Sequence, residues 1–310
     1  MADPVLKWAG GKRQLLDELK ARFPTTDYTH FHEPFFGGGA LFFDLEPEDG
    51  TINDTNPRLV NFYKQVRDNP TDLIELLDTE FRDPDADPNP DLEYHDTNHK
   101  GKAIDEFYYQ ARALFNKRPY GEDFDALREA ALLLYLNRTC YNGLYRENNS
   151  GGFNVPIGSY TNPDWVQADR ITTASRILED TTIHNDDFEY ILDAATAGDL
   201  VYFDPPYKPM SATAYFTDYS QDGFDQTDQQ RLLDVASELD DRGVHVILSN
   251  SGVMYDLYDD AGFHVEVEGA TRAINSDGTN RDEVDEIIAT TIAPTDQRGP
   301  TQQGLTDYTN

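Results

Sequence analysis

Cysteine is almost absent: Cys140 stands alone among 310 residues. No internal disulfide can form, which suits a reducing cytoplasm, and the residue reads as a small packing group. Lysine is nearly as scarce, with eight residues. In all, 25 basic side chains face 58 acidic ones, and the formal net charge is -33. Such a surface repels polyanions and often marks disorder. Here 38% hydrophobic and 12% aromatic residues are enough to build a packed core. The acidity reads instead as adaptation to very high salt, where hydrated carboxylates keep a chain soluble. No apolar run approaches the roughly 18 residues of a membrane span. The opening MADPVLKWAGGK has no apolar core of a secretory leader. The expectation is a cytoplasmic chain with no membrane partner and no obligate protein partner, of one large domain or two modest ones.

Apolar segments alternate with glycine turns over residues 1–60, as in an α/β unit. Residues 83–100, DPDADPNPDLEYHDTNHK, are rich in proline and aspartate and read as an exposed loop or insertion. From about 102 to 137 the period becomes helical: Phe107, Ala111, Leu114 and Phe115 share a face, and FDALREAALLLYL predicts a second, more buried helix. Residues 138–165 are polar, aromatic and glycine-rich, hence loops or a hairpin. DLVYF then predicts a strand, 226–241 a helix, VHVILSN a strand, and FHVEVEG and VDEIIATTI two more. The expected fold is α/β, with a doubly wound, mostly parallel sheet split by a mostly helical insertion.

Three stretches carry chemistry. In FHEPFFGGGALFF, three glycines follow an apolar strand and precede an apolar helix, so backbone can approach a ligand closely. That pattern alone does not separate nucleotide, dinucleotide and S-adenosylmethionine binders. TINDTN puts Asp54 at the end of the next strand, where an acid can take a ribose hydroxyl pair. LKWAGGK groups Trp8 and Lys12 with two glycines; the lysine could meet a carboxylate or phosphate, while the plainer readings are a packed indole and a solvated helix end.

YLNRTCYNGLYRENNSGGFNVPIGSY is a basic island in an acidic chain. Residues 131–160 hold Arg138 and Arg146 against Glu147 alone, whereas 177–199 carries seven acids and no base. Residues 1–22 are also locally positive. Arginine and asparagine can reach base edges and aromatics can wedge into a base stack, although Tyr135, Tyr141 and Tyr145 could instead pack the loop.

In VYFDPPYK an apolar strand ends at Asp204, and Pro205, Pro206 and Tyr207 follow. Proline cannot continue a central ladder, so the chain leaves the sheet stiffly. The amine of a nucleobase is a poor nucleophile because its lone pair is delocalised into the ring. A fixed carboxylate and a proline carbonyl could accept its two N–H bonds and free that lone pair, with the tyrosine stacked on a flipped base. The plain alternative is a strand end, a turn and a buried tyrosine.

Taken together, LKWAGGK, EPFFGGGA, LNRTCYNGLYR, GGFNVPIG, VYFDPPY followed by MSATA, and NSDGTNRDEVDE resemble the Dam-type (D12 class, alpha group) DNA adenine-N6 methyltransferases, collinearly from about Leu6 to Ile292. The resemblance implies the S-adenosylmethionine-dependent methyltransferase fold. Residues 1–61 and 166–293 would form the catalytic domain, 62–165 the target-recognition insertion and 294–310 a disordered tail. It implies that Trp8, Lys12, Asp54 and Asp204 hold S-adenosylmethionine above a loop of Pro34, Phe35, Gly37 and Gly39, and that Asp187 and Phe188 hold its adenine. Asp204, Pro205, Pro206 and Tyr207 match the catalytic motif. Lys7, Tyr141, Asn142, Leu144, Arg146 and Pro156 match positions that open duplex DNA and read bases, with Arg138 beside them in the basic island. GATC is the implied target. The implied reaction is in-line displacement at the sulfonium methyl, with no metal.

Two departures bear on DNA affinity. Thr161, Asn162 and Pro163 stand where the family often has lysines, and NRDEVDE is more acidic than usual. Both remove phosphate anchors. Ordinary DNA binders with 6–10 phosphate contacts lose roughly 10³–10⁵ in affinity between 50 and 200 mM salt, so a chain working in molar salt needs stacking and base contacts instead. Other readings are a nucleotide-dependent oxidoreductase, which leaves DPPY unused, a non-catalytic DNA-binding relic, and the same chemistry on RNA or another sequence. Transfer from molar into millimolar KCl is expected to unfold the chain, as followed by far-ultraviolet circular dichroism. Retention of fold and activity at low salt would overturn the high-salt reading.

Overall fold

The structure, a computed structural model, describes residues 2–81, 107–117, 125–160, 163–206, 224–268 and 286–299. Seven strands occur among them: β1 Phe31–Glu33, β2 Gly50–Asn53, β3 Thr181–His184, β4 Leu200–Phe203, β5 His245–Ser251, β6 His264–Glu268 and β7 Glu286–Thr290. The chain divides into two compact units, one of Met1–Gly11, Gly37–Glu46 and Asp54–Asn185, the other of Lys12–Phe36, Pro47–Asn53 and Asp186–Asn310. The segment expected as the insertion, 62–165, lies inside the first unit, which extends beyond it on both sides.

The first unit is mostly helical. Helix Pro57–Asp68 opens on a proline preset for the first turn, and the Asn56 side chain accepts from the N–H groups of Arg58 and Leu59. Helix Ala126–Thr139 starts at Asp125, whose carboxylate accepts from Arg128 N at 2.8 Å. It packs on Pro57–Asp68, Pro70–Thr79 and Phe107–Asn116, so every residue from Glu129 to Thr139 is buried. This is the buried helix expected from FDALREAALLLYL. After it, antiparallel bridges join Cys140 to Ile157 and Glu147 to Phe153, giving the expected hairpin-like loops.

The second unit holds the sheet, in the order β2-β1-β4-β5-β7-β6. The pairs β1–β2, β1–β4 and β4–β5 are parallel; β7 runs antiparallel to both β5 and β6. The mostly parallel α/β sheet expected from the sequence is therefore found. Strand order reverses between β1 and β4, and in open α/β sheets such a switch point puts the ligand crevice at the carboxyl ends of the strands. Helix Gln226–Asp241 opens with a capping box between Asp225 and Asp228. It packs on β5, and Leu232, Ala236 and Leu239 join Val201, Phe203, Val246, Leu248, Ile287 and Ala289 in one apolar core.

The amino ends of β1 and β4 are pinned by one buried carboxylate. Asp199 accepts from His30 N at 3.1 Å and His30 Nδ1 at 2.9 Å, from Thr196 N at 2.7 Å and Oγ1 at 3.0 Å, and from His32 Nε2 at 3.3 Å. Because His32 gives its Nε2 proton to the carboxylate, its Nδ1 accepts from Thr51 Oγ1 at 2.9 Å, and Thr51 in turn accepts from Tyr190. Burial would raise the Asp199 pKa, but bonds from Thr196, His30 and His32 outweigh it and the net shift is downward. Burial also lowers the His32 pKa, against the pull of Asp199.

Residues 294–310 were expected to be a disordered tail. The first six are instead bonded into the second unit: Thr25 N donates to Asp296 O at 2.7 Å, Arg298 N to Phe23 O at 2.9 Å and Gly299 N to Ala21 O at 2.8 Å. The pairing satisfies backbone groups that a free tail would leave to water. Residues 300–310, the acidic segment 83–100 and the residues MSATA lie outside the described residues, as does all of NSDGTNRDEVDE before Glu286.

Asp199 and His32 titrate with the same sign. Both have lowered values in the folded state, so both lend stability at neutral pH that is lost on acidification. The loss starts below the ordinary histidine value of about 6.5 and continues below the ordinary carboxylate value of about 3.9. Asp199→Asn is expected to cost on the order of 1.5–3 kcal/mol, as for hydrogen bonds to a charged group. It should also flatten the acid side of the stability curve; urea denaturation across the acid range checks both effects.

Candidate active site

Strand β4 is buried along its whole length, and the chain then turns out through Asp204, buried Pro205 and exposed Pro206. Tyr207 lies outside the described residues. Asp204 keeps 20% of its side-chain surface and pairs with Lys12, whose Nζ lies 3.2 Å from Oδ1 and which keeps only 7%. Lys12 also donates to Glu286, the first residue of β7. The solvated helix end considered for Lys12 is therefore not what the structure shows; it bridges two carboxylates. Burial pushes the Asp204 pKa up to about 7, Lys12 pulls it down and Glu286 adds to the rise.

Near the carboxyl ends of β1 and β2, Asn53 acts as a staple. Its Nδ2 donates to the carbonyls of Pro34 and Asp186, each at 3.0 Å, and its Oδ1 accepts from Asp186 N at 2.9 Å. Pro34 is buried, and Phe36 N donates to the Asn53 carbonyl. Phe35 is partly exposed and packs on Phe188, Phe203 and Phe224 with ring centroids 5.3, 6.2 and 5.5 Å away. Phe188 is buried in the apolar core, with the Arg231 guanidinium 4.9 Å from its ring centre. Arg231 also donates to the exposed Asp187 at 2.9 Å. Asp187 and Phe188, expected to hold an adenine, are thus already tied to one arginine.

In the first unit, Trp8 stacks on Tyr145 with centroids 5.1 Å apart and planes inclined by 27°. Gly37 and Gly38 lie against the indole: a Cβ on either would come within 2.9 Å of a Trp8 side-chain carbon. Gly37 has φ 49° and Gly39 φ 65°, both in the left-handed region, and Gly39 precedes the short helix Ala40–Leu45. The two Asp54 oxygens each take one backbone N–H, from Gly37 at 3.0 Å and from Asn56 at 2.8 Å. Burial raises the Asp54 pKa and these bonds oppose it. A carboxylate oxygen carries two lone pairs, so Asp54 keeps acceptor capacity for a vicinal diol.

The basic island sits in the same unit. Asn137 accepts from Lys7 N at 2.9 Å and donates to the Lys7 and Gly143 carbonyls at 2.7 and 3.0 Å, tying the N-terminal segment to the 141–144 loop. The Lys7 ammonium lies 4.7 Å over the Tyr160 ring. Tyr141 is 53% exposed, and Leu144 and Tyr160 are exposed large side chains as well. Asn142 is exposed with φ 56°, and Pro156 is exposed while its carbonyl accepts from Tyr141 N at 2.9 Å. Arg146 is exposed and braced by Asn154 Oδ1 at 2.6 Å. Arg138 needs correction. It is buried in helix Ala126–Thr139 and donates to the Val5 carbonyl, so it braces the N-terminal segment and is not a surface reader.

Sequence reasoning missed Asn53 and Arg231 and gave no role to Glu286, while the packing considered for Tyr145 is what its stack on Trp8 shows. TINDTN did contain Asn53, and a buried asparagine at a strand end was a usable signal. Nothing local marked Arg231, and Glu286 stood only as the end of NSDGTNRDEVDE.

The chain matches the model of the D12 class N6 adenine-specific DNA methyltransferases over residues 8–274 and belongs to that family. It is 41% identical over 291 residues to the type II methyltransferase M1.LlaDCHI of Lactococcus lactis subsp. cremoris, covering 93% of this chain and 94% of that one. It is 37% identical to the type II methyltransferase M.MjaIII of Methanocaldococcus jannaschii, over 90% and 94% of the two chains. With the DNA adenine methylase of Escherichia coli (strain K12) identity is 34%, over 92% and 93%. The chain is therefore an adenine-specific DNA methyltransferase, of a class whose methyl donor is S-adenosylmethionine. Asp54 fits that donor, because its carboxylate keeps acceptor capacity for a ribose diol.

Gly37→Ala is expected to be costly twice over, through its φ and through the Trp8 contact. Gly10→Ala is the control, because Gly10 has φ 80° but meets nothing within 4 Å. The control should lose about 1 kcal/mol for the backbone alone; chemical denaturation should show Gly37→Ala losing clearly more.

Proposed function

We propose that this enzyme transfers a methyl group to N6 of adenine in duplex DNA at GATC, and does so in a cell interior of very high salt. The observation that carries the reading is Asp204 at the end of a buried strand, paired with Lys12 and followed by two prolines. When bound, S-adenosylmethionine supplies an electrophilic methyl on sulfur. The Asp204 carboxylate and the Pro205 carbonyl accept the two N–H bonds of the target amine, which favours a pyramidal nitrogen whose lone pair points at that methyl. With the donor bound, the methyl would pass to that nitrogen, the donor would leave as its neutral thioether, and the extra proton on nitrogen would pass to water. Tyr207 stacks on the flipped base. Trp8, Lys12, Asp54, Asp187, Phe188 and the loop from Pro34 to Gly39 serve the cofactor.

Residues 62–165 serve as the target-recognition part. Tyr141 and Leu144 wedge into the duplex, supported by their exposure at a loop fixed by Asn137. Arg146, exposed and braced, reads guanine; Leu144 and Pro156 offer apolar contact to a thymine methyl; Lys7 and Asn142 reach base edges. These contacts suit GATC. The net charge of -33 supports the high-salt reading and a cytoplasmic site, and no described helix is long and apolar enough to cross a membrane.

The test is transfer of labelled methyl to a GATC duplex in molar KCl, beside a scrambled duplex and Asp204→Ala. Label on the GATC duplex alone, reduced roughly 10²-fold or more in the variant, supports reaction, target and residue together. Label on both duplexes discards GATC. No label, with cofactor bound, supports a binding module in place of an enzyme.

A further inference from the structure

Strand alternation sorts the sheet of the second unit into two faces. The registers Glu33–Tyr202, implied by Phe31–Leu200, and Tyr202–Ile247, Ser249–Ile288 and Ser251–Glu286 put Glu33, Tyr202, Ser249, Ser251 and Glu286 on one face. Val201, Phe203, Val246, Leu248, Ile287 and Ala289 line the other, in the apolar core. Asp204 follows Tyr202 by two residues, on the polar side. Tyr202 and Ser249 share a hydrogen bond of 2.6 Å beneath it. At the carboxyl end of this row, Lys12 bonds Asp204 and Glu286 together.

We propose that Glu286 is a positioning residue for the methyl transfer: it shares the Lys12 ammonium with Asp204, fixing its place while leaving the Asp204 carboxylate basic enough to take the N–H bonds of the target amine. The inference rests on the role given to Asp204 above. An ammonium paired with Asp204 alone would draw its charge fully and weaken it as an acceptor; an ammonium absent would leave a buried carboxylate that takes up a proton. A second carboxylate on the far side of the ammonium sets the balance between these extremes. Glu286 is well placed for this because the β5–β7 ladder fixes its backbone opposite Ser251. The groups bearing on Asp204 from the described elements are Lys12 and Glu286, with Tyr202 one turn of the pleat behind; Glu33 on β1 acts on Tyr202.

Two variants separate charge from geometry. Glu286→Gln keeps an oxygen for Lys12 and loses the charge. Its acid limb in the pH profile of kcat should move down by roughly one pH unit, the scale on which a neighbouring charge acts, with KM for DNA unchanged. Glu286→Ala removes the same charge and also leaves Lys12 to Asp204 alone, so its limb should move down at least as far. The titration of the Asp204 carboxyl carbon, followed by NMR in the full chain, should shift in the same direction without any turnover. An unmoved Asp204 titration in Glu286→Gln overturns the proposal, whatever the alanine variant does. So does a loss confined to KM or thermal stability. Absence of methyl transfer by the unsubstituted protein would sink the proposed function instead, and the NMR titration would still decide whether Glu286 governs Asp204.

Discussion

An ionised carboxylate at the mouth of a buried strand is the constraint on which this structure turns. Water would keep Asp204 charged, but burial, with Glu286 adding to it, carries its pKa up to about 7 even with Lys12 beside it. The protein resolves the conflict with an ammonium almost wholly removed from solvent. That ammonium would itself be costly with one partner, and Glu286 supplies the second. Three charges that are each unfavourable in isolation are tolerable as a group.

The sheet makes this group possible by dividing its labour twice. Across its thickness, one face carries the apolar core under helix Gln226–Asp241, and the other sets Glu33, Tyr202, Ser249, Ser251 and Glu286 among the buried Ile247 and Ile288. Along its length, the amino ends of β1 and β4 are gathered on Asp199, while the carboxyl ends are left to Asn53, Asp204 and Glu286. The two ends therefore use carboxylates oppositely. Asp199 receives so many hydrogen bonds that its pKa falls despite burial, which suits a permanent anchor. Asp204 receives fewer and its pKa rises, which suits the bond-accepting role proposed for it.

What the sequence revealed follows from the range of the interactions involved. Strands, the helix over 226–241 and the buried helix after Asp125 were readable because hydrophobic period and capping are local. Asp204 was readable because a strand, an acid and two prolines are consecutive. The pairing of Lys12 with Glu286 was not readable, because 274 positions separate the two and β7 reads as an ordinary strand. Arg138 was misread for the converse reason: its charge counted toward a basic island, while the helix that carries it is buried on all sides. For residues 294–299 composition misled, since polar sequence does not exclude backbone pairing such as that with Ala21, Phe23 and Thr25.

The buried arginine also changes how the basic island meets a polyanion. Without Arg138, the exposed cations of residues 131–160 reduce to Arg146, with Lys7 laid over Tyr160 nearby. Two cations in a chain of net charge -33 cannot supply the counterion release that drives ordinary DNA binding. On the proposed reading, the exposed Tyr141, Leu144 and Tyr160 carry more of the affinity through stacking and apolar contact. Those terms survive in molar salt, where the Debye length is only about 3 Å and distant phosphates are screened. On that reading, scarcity of lysine and exposure of aromatics are two sides of one solution: recognition by contact, with little help from charge at a distance.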